Sequence, residues 1–570
     1  MRGGIKGQQK APSVEDFRNH CDLLLSLGSI YSRIYKIWEG SKMNIPLTPV
    51  RFLERTLKIY GNKTGVICGD LRFSYRAYGE RVNRLSNGLL QLGVQKGDRI
   101  SYLGYNCHRL LEAFYGVPQI GAVLLPLNIR LVPHDFEYII NESRPNILFL
   151  DRDFIPQIES IRERILSVEH YILLESMENA PPWITGTYEE LLREASPEPP
   201  FPPGAYPFEE DDTAELFYTS GTTGNPKGVM LTHRNLYLHA LATLAVSPMD
   251  ETDIWLHLIP LFHVNGWGTP HYFTAKGGTH IMVQKFDPLK TLEIIQREKV
   301  TRTAMIPTMV NAILALPEFK EYDLSSMRIF LIGGAPPPTG LIERTEKAFG
   351  CLVHTAFGMT ETCPLIAWPE LGSHLDPEIR QQRVRESWGF QMLGVEFRVV
   401  DSEGKDLPWD GQAVGELLVR GDMVMKGYYS KPEETEETLE GGWYHTGDLV
   451  SIGPDGSLYI KDRKKDIIIS GGENISSLEV EQVLYSHPDI LECAVIGKLD
   501  EKWGEVPLAF VVLREGSKTT HQEIIDFTKS RMAGFKAPKE VRIINEFPRG
   551  GTGKILKSVL REKYRSSAST

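Results

Sequence analysis

Short apolar runs alternate with helical or loop stretches from residue 65 to residue 332 of the chain. The apolar runs predict buried strands, and the stretch Tyr75–Leu92, which ends at Gly93, predicts a helix. Because strands alternate with helices, we expect parallel sheets that are covered by helices. The predicted strands are Gly65–Cys68, Arg99–Leu103, Ala122–Leu125, Ile147–Leu150, His170–Leu174, Thr279–Val283, Thr303–Ile306 and Ile329–Ile332.

The pattern changes near Gly394. Between Gly394 and Ile460, short β-rich pieces with turn residues predict a small barrel or an antiparallel sheet. Further on, Ser476 and Glu479 form a capping-box pattern before an apolar stripe that stops at His487-Pro488. The segments that follow predict a compact α+β unit with strands Glu492–Ile496, Leu508–Leu513 and Val541–Ile544 and the helix Gln522–Arg531.

The chain length and two polar segments shape the predicted domain layout. At 570 residues the chain is too long for one ordinary core, so we expect a large part and at least one smaller domain. The pattern change puts the boundary at Asp462–Asp466. The Pro-rich Ala195–Pro207 predicts a linker or loop, and the acidic run Lys431–Gly442 is typical of a solvated helix face.

Composition is that of a soluble globular protein, with 41% hydrophobic and 24% charged residues. The net charge of −11 argues against nucleic acid as the main partner, whereas anionic small molecules need only a local basic pocket. The six cysteines lie far apart without a CxxC pair, so we expect a reduced, cytoplasmic setting. Charges interrupt the apolar stretch Leu23–Trp38, which argues against a membrane span or signal peptide and favours an amphipathic helix or a terminal extension.

Several common catalytic signatures are missing from the sequence. There is no HExxH, no GxSxG and no CxxC motif, which argues against zinc proteolysis, α/β-hydrolase chemistry and dithiol redox chemistry. Two lysine-bearing glycine loops differ from the Walker pattern GxxxxGK[ST]. Pro226 stands where the first loop needs a glycine, and Ile555 follows the lysine of the second loop in place of Ser or Thr.

The first glycine loop, "FYTSGTTGNPKG" (Phe217–Gly228), nevertheless has the composition of a phosphate site, and its surroundings read as strand, loop and helix. Glycines let successive backbone N–H groups converge on one anion, and four hydroxyl residues between Thr219 and Thr223 add donors or a Mg²⁺ ligand. Lys227 adds a positive charge. An ordinary glycine-rich turn would explain the glycines but not the density of hydroxyls beside a lysine.

Three later segments add groups that suit nucleotide chemistry. "AFGMTET" places the carboxylate of Glu361, suited to a hard cation, beside an aromatic residue. "YHTGD" ends in Asp448, which could accept hydrogen bonds from ribose hydroxyls, and "PRGGTGK" presents Lys554 on a loop near the C-terminus. Taken singly, each has an ordinary alternative: a loop carboxylate, an aspartate in a turn and an exposed lysine.

Together and in this order, the segments resemble the acyl-adenylate-forming superfamily, which includes acyl-CoA synthetases, luciferases and the adenylation domains of nonribosomal peptide synthetases. The resemblance runs from about Leu47 to Tyr564 and rests on "YTSGTTGNPKG", "GGAP", "FGMTET", "YHTGD", "KDRKKDIIISGGENIS" and "PRGGTGK". Two segments, "PLFHVNGWG" (Pro260–Gly268) and "SGGENISSLEVE", are most similar to fatty acyl-CoA synthetases.

The resemblance implies an α/β fold in three parts. Residues 1–43 would form an N-terminal extension. Residues 44–462 would form a large AMP-binding domain of two α/β subdomains with parallel sheets plus a small β-barrel. Residues 463–570 would form a small, mobile α+β C-terminal domain, with the hinge at 462–466.

For ATP, the resemblance implies a phosphate clamp, an adenine frame and a ribose site. Thr219 and Glu361 would help to hold Mg²⁺, Phe357 would stack on the adenine, and Asp448 and Arg463 would bind the ribose. The implied ATP-binding residues are Thr219, Ser220, Gly221, Thr222, Thr223, Gly224, Lys227, Gly333, Gly334, Ala335, Pro336, Phe357, Gly358, Met359, Thr360, Asp448 and Arg463.

The other implied roles concern the acid, CoA and catalysis. Lys554 would reach the carboxylate and the α-phosphate, and Glu361, Thr219 and His263 would act with it in catalysis. His263 and Trp267 would border the acyl channel, Trp267 at a position that gates fatty-acid entry in some long-chain members. The implied hinge residues are Asp462 and Lys465, and those on the CoA side are Ser470, Gly471, Gly472 and Glu473.

The resemblance implies AMP-forming synthesis of an acyl-CoA from a carboxylic acid, ATP and CoA. The acid it implies is a medium- or long-chain fatty acid. A fatty acid has a pKa of roughly 4 to 5, so the nucleophile is already ionised at neutral pH and needs no general base. Largely apolar wall segments, with no acidic residue placed to bind an α-amine, favour an aliphatic or aryl acid. Some long-chain relatives are homodimers, which makes a homodimer a further expectation.

Three alternatives stay open at this point. The chain could be an acyl-AMP ligase that loads a separate carrier protein, a CoA ligase for short-chain or aryl acids, or a non-catalytic nucleotide-binding protein. The last is disfavoured because a sensor would not need five retained groups, Thr219, Glu361, Asp448, Arg463 and Lys554.

Overall fold

The computed structural model describes residues 44–202, 204–219, 225–334, 337, 340–369, 376, 378, 385, 387–550 and 555–567. The predicted extension 1–43 lies outside the described residues. The same is true of eight predicted site residues, which are Ser220, Gly221, Thr222, Thr223, Gly224, Ala335, Pro336 and Lys554. The chain divides into two compact units, residues 1–46 and 47–570, and the helices and strands described below all lie in the second.

The described residues form strands in five sheets. In chain order the strands are β1 Thr64–Cys68, β2 Leu71–Ser74, β3 Arg99–Leu103, β4 Val123–Pro126, β5 Ile147–Leu150, β6 His170–Leu173, β7 Gly186–Thr187, β8 Thr213–Thr219, β9 Lys227–Thr232, β10 Ile254–His257, β11 Thr279–Met282, β12 Arg302–Met305, β13 Ile329–Ile332, β14 Leu352–Thr355, β15 Phe357–Gly358, β16 Leu365–Trp368, β17 Phe390–Gln391, β18 Val395–Val400, β19 Gly415–Gly421, β20 Gly427–Tyr428, β21 Tyr444–Ile452, β22 Leu458–Arg463, β23 Ile468–Ser470, β24 Glu473–Ile475, β25 Ile490–Asp500, β26 Gly504–Leu513 and β27 Glu540–Ile543.

Helices cover the sheets. In chain order they are α1 Val50–Tyr60, α2 Tyr75–Gln91, α3 His108–Gly116, α4 Pro133–Ser143, α5 Ile155–Glu159, α6 Tyr188–Glu194, α7 His233–Val246, α8 Thr269–Lys276, α9 Pro288–Glu298, α10 Pro307–Leu314, α11 Leu341–Phe349, α12 Pro432–Thr438, α13 Ser477–Tyr485, α14 His521–Lys529 and α15 Lys557–Ser567.

Two large sheets, mostly parallel, form the large N-terminal domain. One has eight strands in the order β20-β9-β8-β4-β3-β5-β6-β7, and the other has seven in the order β14-β13-β12-β10-β11-β1-β2. In the first sheet the strands from β8 to β7 run parallel, and β9 and β20 add antiparallel pairs at one edge. In the second sheet only β2 runs antiparallel to its neighbour. This confirms the predicted α/β fold.

The predicted strands agree closely with this framework. Arg99–Leu103, Ile147–Leu150 and Ile329–Ile332 match the observed strands to the residue, and the other five differ by one residue at one or both ends. The strand, loop and helix order predicted around the glycine loop was wrong in one respect. A second strand, β9, precedes the helix, because Val229 and Leu231 are buried and the segment pairs antiparallel with β8.

The remaining strands form smaller, largely antiparallel sheets. The region predicted as a small barrel or antiparallel sheet contains a four-stranded antiparallel sheet in the order β18-β19-β21-β22. The small C-terminal domain is built on a five-stranded sheet in which β27 is the parallel member. Its helix α13 begins as predicted, because the Ser476 hydroxyl accepts a hydrogen bond from the Glu479 amide at 3.1 Å. The Glu479 carboxylate itself contacts Lys536 at 2.8 Å.

Candidate active site

A cavity of about 480 Å³ lies between the large domain and the C-terminal domain. The large domain contributes residues that follow β12, β13 and β14 and residues of β21 and β22, and the C-terminal domain contributes one face of α13, part of β25 and the start of α15. Of the predicted site residues, the cavity is lined by Gly334, Phe357, Gly358, Asp448, Asp462, Arg463 and Lys465. The structure therefore brings the predicted adenine frame, ribose site and hinge to one place.

Asp448 and Arg463 face each other across two neighbouring strands. They are paired positions in β21 and β22, and Arg463 Nε lies 2.9 Å from Asp448 Oδ1. The Asp448 side chain is buried while that of Arg463 is 40% exposed, so the guanidinium reaches into the cavity. Glu416 accepts a hydrogen bond from the Gly447 amide at 3.2 Å and fixes the adjacent turn.

The described residues of the predicted adenine frame, Gly333, Gly334 and Phe357, are packed against further aromatic rings. The rings of Phe357 and Trp388 meet edge to face, with centroids 6.4 Å apart. A Cβ atom at Gly333 would lie only 2.7 Å from Trp267 Cη2, so the Trp267 ring packs directly on this backbone. Gly334 has a φ of +78°, which only glycine adopts readily. Both glycines are therefore required by the local geometry.

Trp267, predicted to border the acyl channel with His263, lies on a turn held by a buried polar network. Val264, Asn265 and Trp267 all have positive φ, with values of 34°, 44° and 67°. Glu215, fully buried in β8, accepts a hydrogen bond from Asn265 Nδ2 at 2.8 Å and lies 2.7 Å from His271 Nε2. The Asn265 side-chain oxygen accepts from the Gly268 amide at 2.6 Å. This network stabilises an otherwise unfavourable turn and orients the Trp267 ring.

Thr219 and Lys227 stand at opposite ends of the glycine loop. They are paired positions at the ends of β8 and β9, so the hairpin brings both ends of the loop together. The Lys227 ammonium forms an ion pair with Glu434 and lies 5.1 Å from the centroid of the Tyr428 ring. Tyr428 in turn donates a hydrogen bond to Glu361 Oε1 at 3.1 Å. The candidate phosphate and metal residues are thus linked through Tyr428.

Glu361 lies with Thr360 on a short 3₁₀ turn, Thr360–Thr362, that Met359 precedes. Burial raises the pKa of the Glu361 carboxyl, while hydrogen bonds from the backbone and from Tyr428 and the charge of Arg463 oppose the rise. Among the described residues, no group of three or more His, Cys, Asp or Glu side chains is arranged to hold a metal ion. Glu361 is therefore not part of such a cluster among the described residues.

The predicted hinge residue Asp462, in the last strand of the large domain, contacts the first helix of the C-terminal domain. Its Oδ2 accepts hydrogen bonds from the Ser477 amide at 2.5 Å, the Ser477 hydroxyl at 2.9 Å and the Leu478 amide at 3.3 Å. These groups are at the N-terminus of α13, where amides lack helical partners. Burial lowers the pKa of the second hinge residue, Lys465, although the charge of Asp466 opposes this.

Sequence reasoning missed a buried ion pair beside this hinge. Lys557 Nζ lies 2.7 Å from both Glu481 Oε1 and the Ser477 hydroxyl. Burial alone would lower the pKa of Lys557, but the carboxylates of Glu481, Asp466 and Asp462 raise it above its ordinary value. The available signal was Glu481 itself, a charge within the buried face of α13.

The predicted CoA-side residues are among the described site residues that do not line the cavity, as are Thr219, Lys227, Gly333, Met359, Thr360, Glu361, His263 and Trp267. Among the described residues that line the cavity, none comes from Ser470, Gly471, Gly472 or Glu473. They form the turn between β23 and β24, where the Gly471 amide donates to the Trp503 carbonyl at 2.7 Å.

In the part of the chain that the structure describes, no helix is long and apolar enough to cross a membrane.

Comparisons with known proteins cover nearly the whole chain. The model of the AMP-binding enzyme family matches residues 53–429, and that of the AMP-binding enzyme C-terminal domain matches residues 479–554. A 4-hydroxybutyrate–CoA ligase of Metallosphaera sedula is 35% identical over 92% of this chain and 95% of its own. A long-chain-fatty-acid–CoA ligase of Thermus thermophilus is 36% identical over 93% and 99%. An anthranilate CoA ligase crystallised with anthranoyl-AMP superposes with a TM-score of 0.84 at 28% identity, covering 92% of this chain and 99% of that one.

Proposed function

Because the chain belongs to the AMP-binding enzyme family and is an AMP-forming CoA ligase, we propose that it activates a fatty or other apolar monocarboxylic acid through an acyl-adenylate. In the first half reaction, a carboxylate oxygen attacks the α-phosphorus of ATP and pyrophosphate leaves. In the second, the CoA thiolate attacks the acyl carbon and AMP leaves. The acid enters already ionised, since its pKa is roughly 4 to 5.

The observation that carries this proposal is the lining of the cavity. Gly550 and Ile555, which flank the segment that contains Lys554, line the same cavity as Phe357 and Asp448. A lysine on that segment is suited to neutralise the repulsion between carboxylate and polyphosphate, and a fixed charge of this kind contributes about 3 kcal/mol to transition-state stabilisation. The arrangement therefore supports the adenylate-forming half reaction.

The second half reaction requires a different arrangement of the C-terminal domain. The predicted CoA-side residues Ser470–Glu473 lie outside the cavity, whereas Gly550 and Ile555, on either side of the segment that contains Lys554, line it. A rotation about the 462–466 hinge would withdraw that segment and present the turn between β23 and β24 to the adenylate. Asp462 suits such a pivot, because it already bonds the first turn of the helix that would move with the domain.

For the nucleotide, we assign the phosphates to the loop between Thr219 and Lys227 and a Mg²⁺ ion to Thr219 and Glu361. Magnesium bound with a nucleotide takes one or two carboxylates and completes its shell with phosphate oxygens and water. The carboxylate of Glu361 fits this pattern. The ion would supply charge neutralisation at the phosphates, and the residues around it would orient them.

Two size classes of acid have separate support. The resemblance of Pro260–Gly268 to fatty acyl-CoA synthetases supports a medium- or long-chain acid, for which Trp267 would have to swing aside. The packing of the Trp267 ring against Gly333 supports a short-chain or aryl acid, because a ring in this position would limit the space behind the proposed nucleotide frame.

Two assays test the proposal. Pyrophosphate exchange without CoA reports adenylation, and thioester formation from supplied acyl-adenylate reports the second half reaction. We expect Lys554→Ala to abolish the first and largely spare the second, with Lys518→Ala, an exposed lysine of the same domain, as control. Equal losses in both would contradict the two-position scheme. CoA-dependent AMP release with butyrate, octanoate, palmitate and benzoate then decides the size class.

A further inference from the structure

Glu434 lies in the acidic segment that the sequence predicts to be a solvated helix face. The helix α12 is indeed exposed along Glu433, Glu436 and Glu437. Glu434 differs from these neighbours, because its carboxylate pairs with the ammonium of Lys227. Glu434 is itself 38% exposed, so the prediction of a solvated face holds, but the sequence did not predict this contact between segments that are far apart in the chain.

Glu434 is held in place from its other side as well. Lys431 Nζ lies 3.9 Å from Glu434 and 3.3 Å from Glu142 on α4. Glu142 in turn accepts hydrogen bonds from the hydroxyls of Tyr138 and Tyr218, each at 2.8 Å. This chain of contacts anchors the first turn of α12 to the large domain, so Glu434 is positioned and does not sample solvent freely.

The position of Lys227 makes the pair consequential. Its ammonium stands over the ring of Tyr428, whose hydroxyl binds Glu361, the proposed metal residue. In the proposed function, Lys227 is the cation that meets the β and γ phosphates. Glu434 thus forms an ion pair with the same ammonium group that the leaving pyrophosphate would contact.

We propose that Glu434 is an internal counter-ion that competes with pyrophosphate for Lys227 and so promotes release of this product. The inference rests on the proposed role of Lys227 in binding phosphate. When ATP binds, the multiply charged phosphates displace the single carboxylate. After adenylate formation, Glu434 returns to Lys227 as pyrophosphate leaves, and the lysine is never left without a counter-charge.

The strength of the pair sets the size of the expected effect. Both side chains are about one third exposed, at 28% for Lys227 and 38% for Glu434. Exposed ion pairs contribute modestly, so removing the competitor should tighten pyrophosphate binding about two- to fivefold. A stronger pair would prevent ATP from binding, whereas a pair of this size biases release and still yields to the substrate.

The test is a double-mutant cycle on pyrophosphate binding. Pyrophosphate with Mg²⁺ is titrated calorimetrically into the full-length enzyme and into Glu434→Gln, Glu436→Gln, Lys227→Ala and the Glu434→Gln/Lys227→Ala double variant. We expect Glu434→Gln to bind about two- to fivefold more tightly, and Glu436→Gln, on the same helix, to bind as the unmodified enzyme does. In the Lys227→Ala background, Glu434→Gln should have no effect.

The outcomes separate this inference from the proposed function. If Lys227→Ala does not weaken pyrophosphate binding, the proposed phosphate role of Lys227 itself is wrong. If Lys227→Ala weakens binding but Glu434→Gln leaves it unchanged or weakens it, the counter-ion role alone is overturned. Product inhibition by pyrophosphate in the complete reaction gives a second readout, and it should become stronger in Glu434→Gln.

Discussion

Replacing Gly333 with alanine tests whether the ring of Trp267 forms the wall between the nucleotide cavity and the acyl channel. A Cβ atom on Gly333 would lie 2.7 Å from Cη2, 3.2 Å from Cζ3 and 3.4 Å from Cζ2 of Trp267. Carbon atoms in contact are normally about 3.5–4.0 Å apart, so the closest approach is short by about 0.8–1.3 Å. The ring or the end of β13 must move, and overpacking of this kind costs about 1–3 kcal/mol.

The displaced ring determines which substrate is affected. Trp267 is only 9% exposed, and the glycine backbone blocks it on the cavity side, so it moves toward the proposed acyl channel. If the full 1–3 kcal/mol of overpacking raises the free energy of the transition state for the acid, kcat/KM for the acid drops about five- to 150-fold, since 1.4 kcal/mol is a factor of ten. We expect KM for ATP to change much less. Steady-state AMP release with each substrate varied in turn measures both.

Two further variants make the reasoning refutable. Gly186→Ala is the control, because a Cβ atom there has no other heavy atom within 4 Å. In a Trp267→Ala background the clash is absent, so Gly333→Ala should have little additional effect on acid use. If Gly333→Ala lowers kcat/KM for the acid just as strongly in that background, the ring is not the obstacle and the proposed wall is wrong.

Two other predictions concern stability. Asp462→Ala removes an acceptor of three hydrogen bonds at the start of α13, and we expect the free energy of unfolding to fall by about 1–2 kcal/mol. The measurement is the unfolding temperature of the C-terminal domain, which should be lower. Asp462→Asn keeps one oxygen acceptor and should lose less. Burial lowers the pKa of His257 from 6.5 to about 3, so between these pH values the unfolded chain takes up a proton that the folded chain does not, and stability falls as the pH drops. Urea unfolding at pH 7 and pH 5 should show that His257 lowers the free energy of unfolding by about 2 kcal/mol at the lower pH. His257→Gln should lack this contribution. If the pH dependence of stability is the same in that variant, the assignment to His257 is wrong.

The parallel strands could be predicted from the sequence because each is buried on both faces. Ile147–Leu150 and Ile329–Ile332 are continuous apolar runs with turn residues at their ends, and this pattern predicts a strand that is buried on both faces. Strand β9 has a less distinctive pattern. Its first residue is Lys227 and its identity as a strand depends on pairing with β8 across the glycine loop. The sequence around it therefore predicted a helix too early.

The candidate site was predictable to the extent that its residues lie in contiguous motifs. Asp448, Arg463, Phe357 and Gly334 come from separate motifs, and the structure brings them to one cavity. Tyr428 was not predictable, because its link to Glu361 joins positions 67 residues apart and follows only from the pairing of β20 with β9. No local pattern distinguishes this tyrosine from a core aromatic.

Glu434 and Glu481 show why charged positions on short helices need a tertiary explanation. Glu481 interrupts a buried stripe of α13, and a buried carboxylate is costly unless it is paired, so its position alone implies a partner such as Lys557. Glu434 gives no such warning, because it stands in a run of exposed acids where solvation is a sufficient explanation. Its importance arises from Lys227, which would otherwise present an uncompensated charge beside Tyr428. A lysine that binds phosphate and then releases it, as we propose for Lys227, would be served by a nearby carboxylate that is weak enough to be displaced, and the partly exposed geometry of this pair meets that requirement.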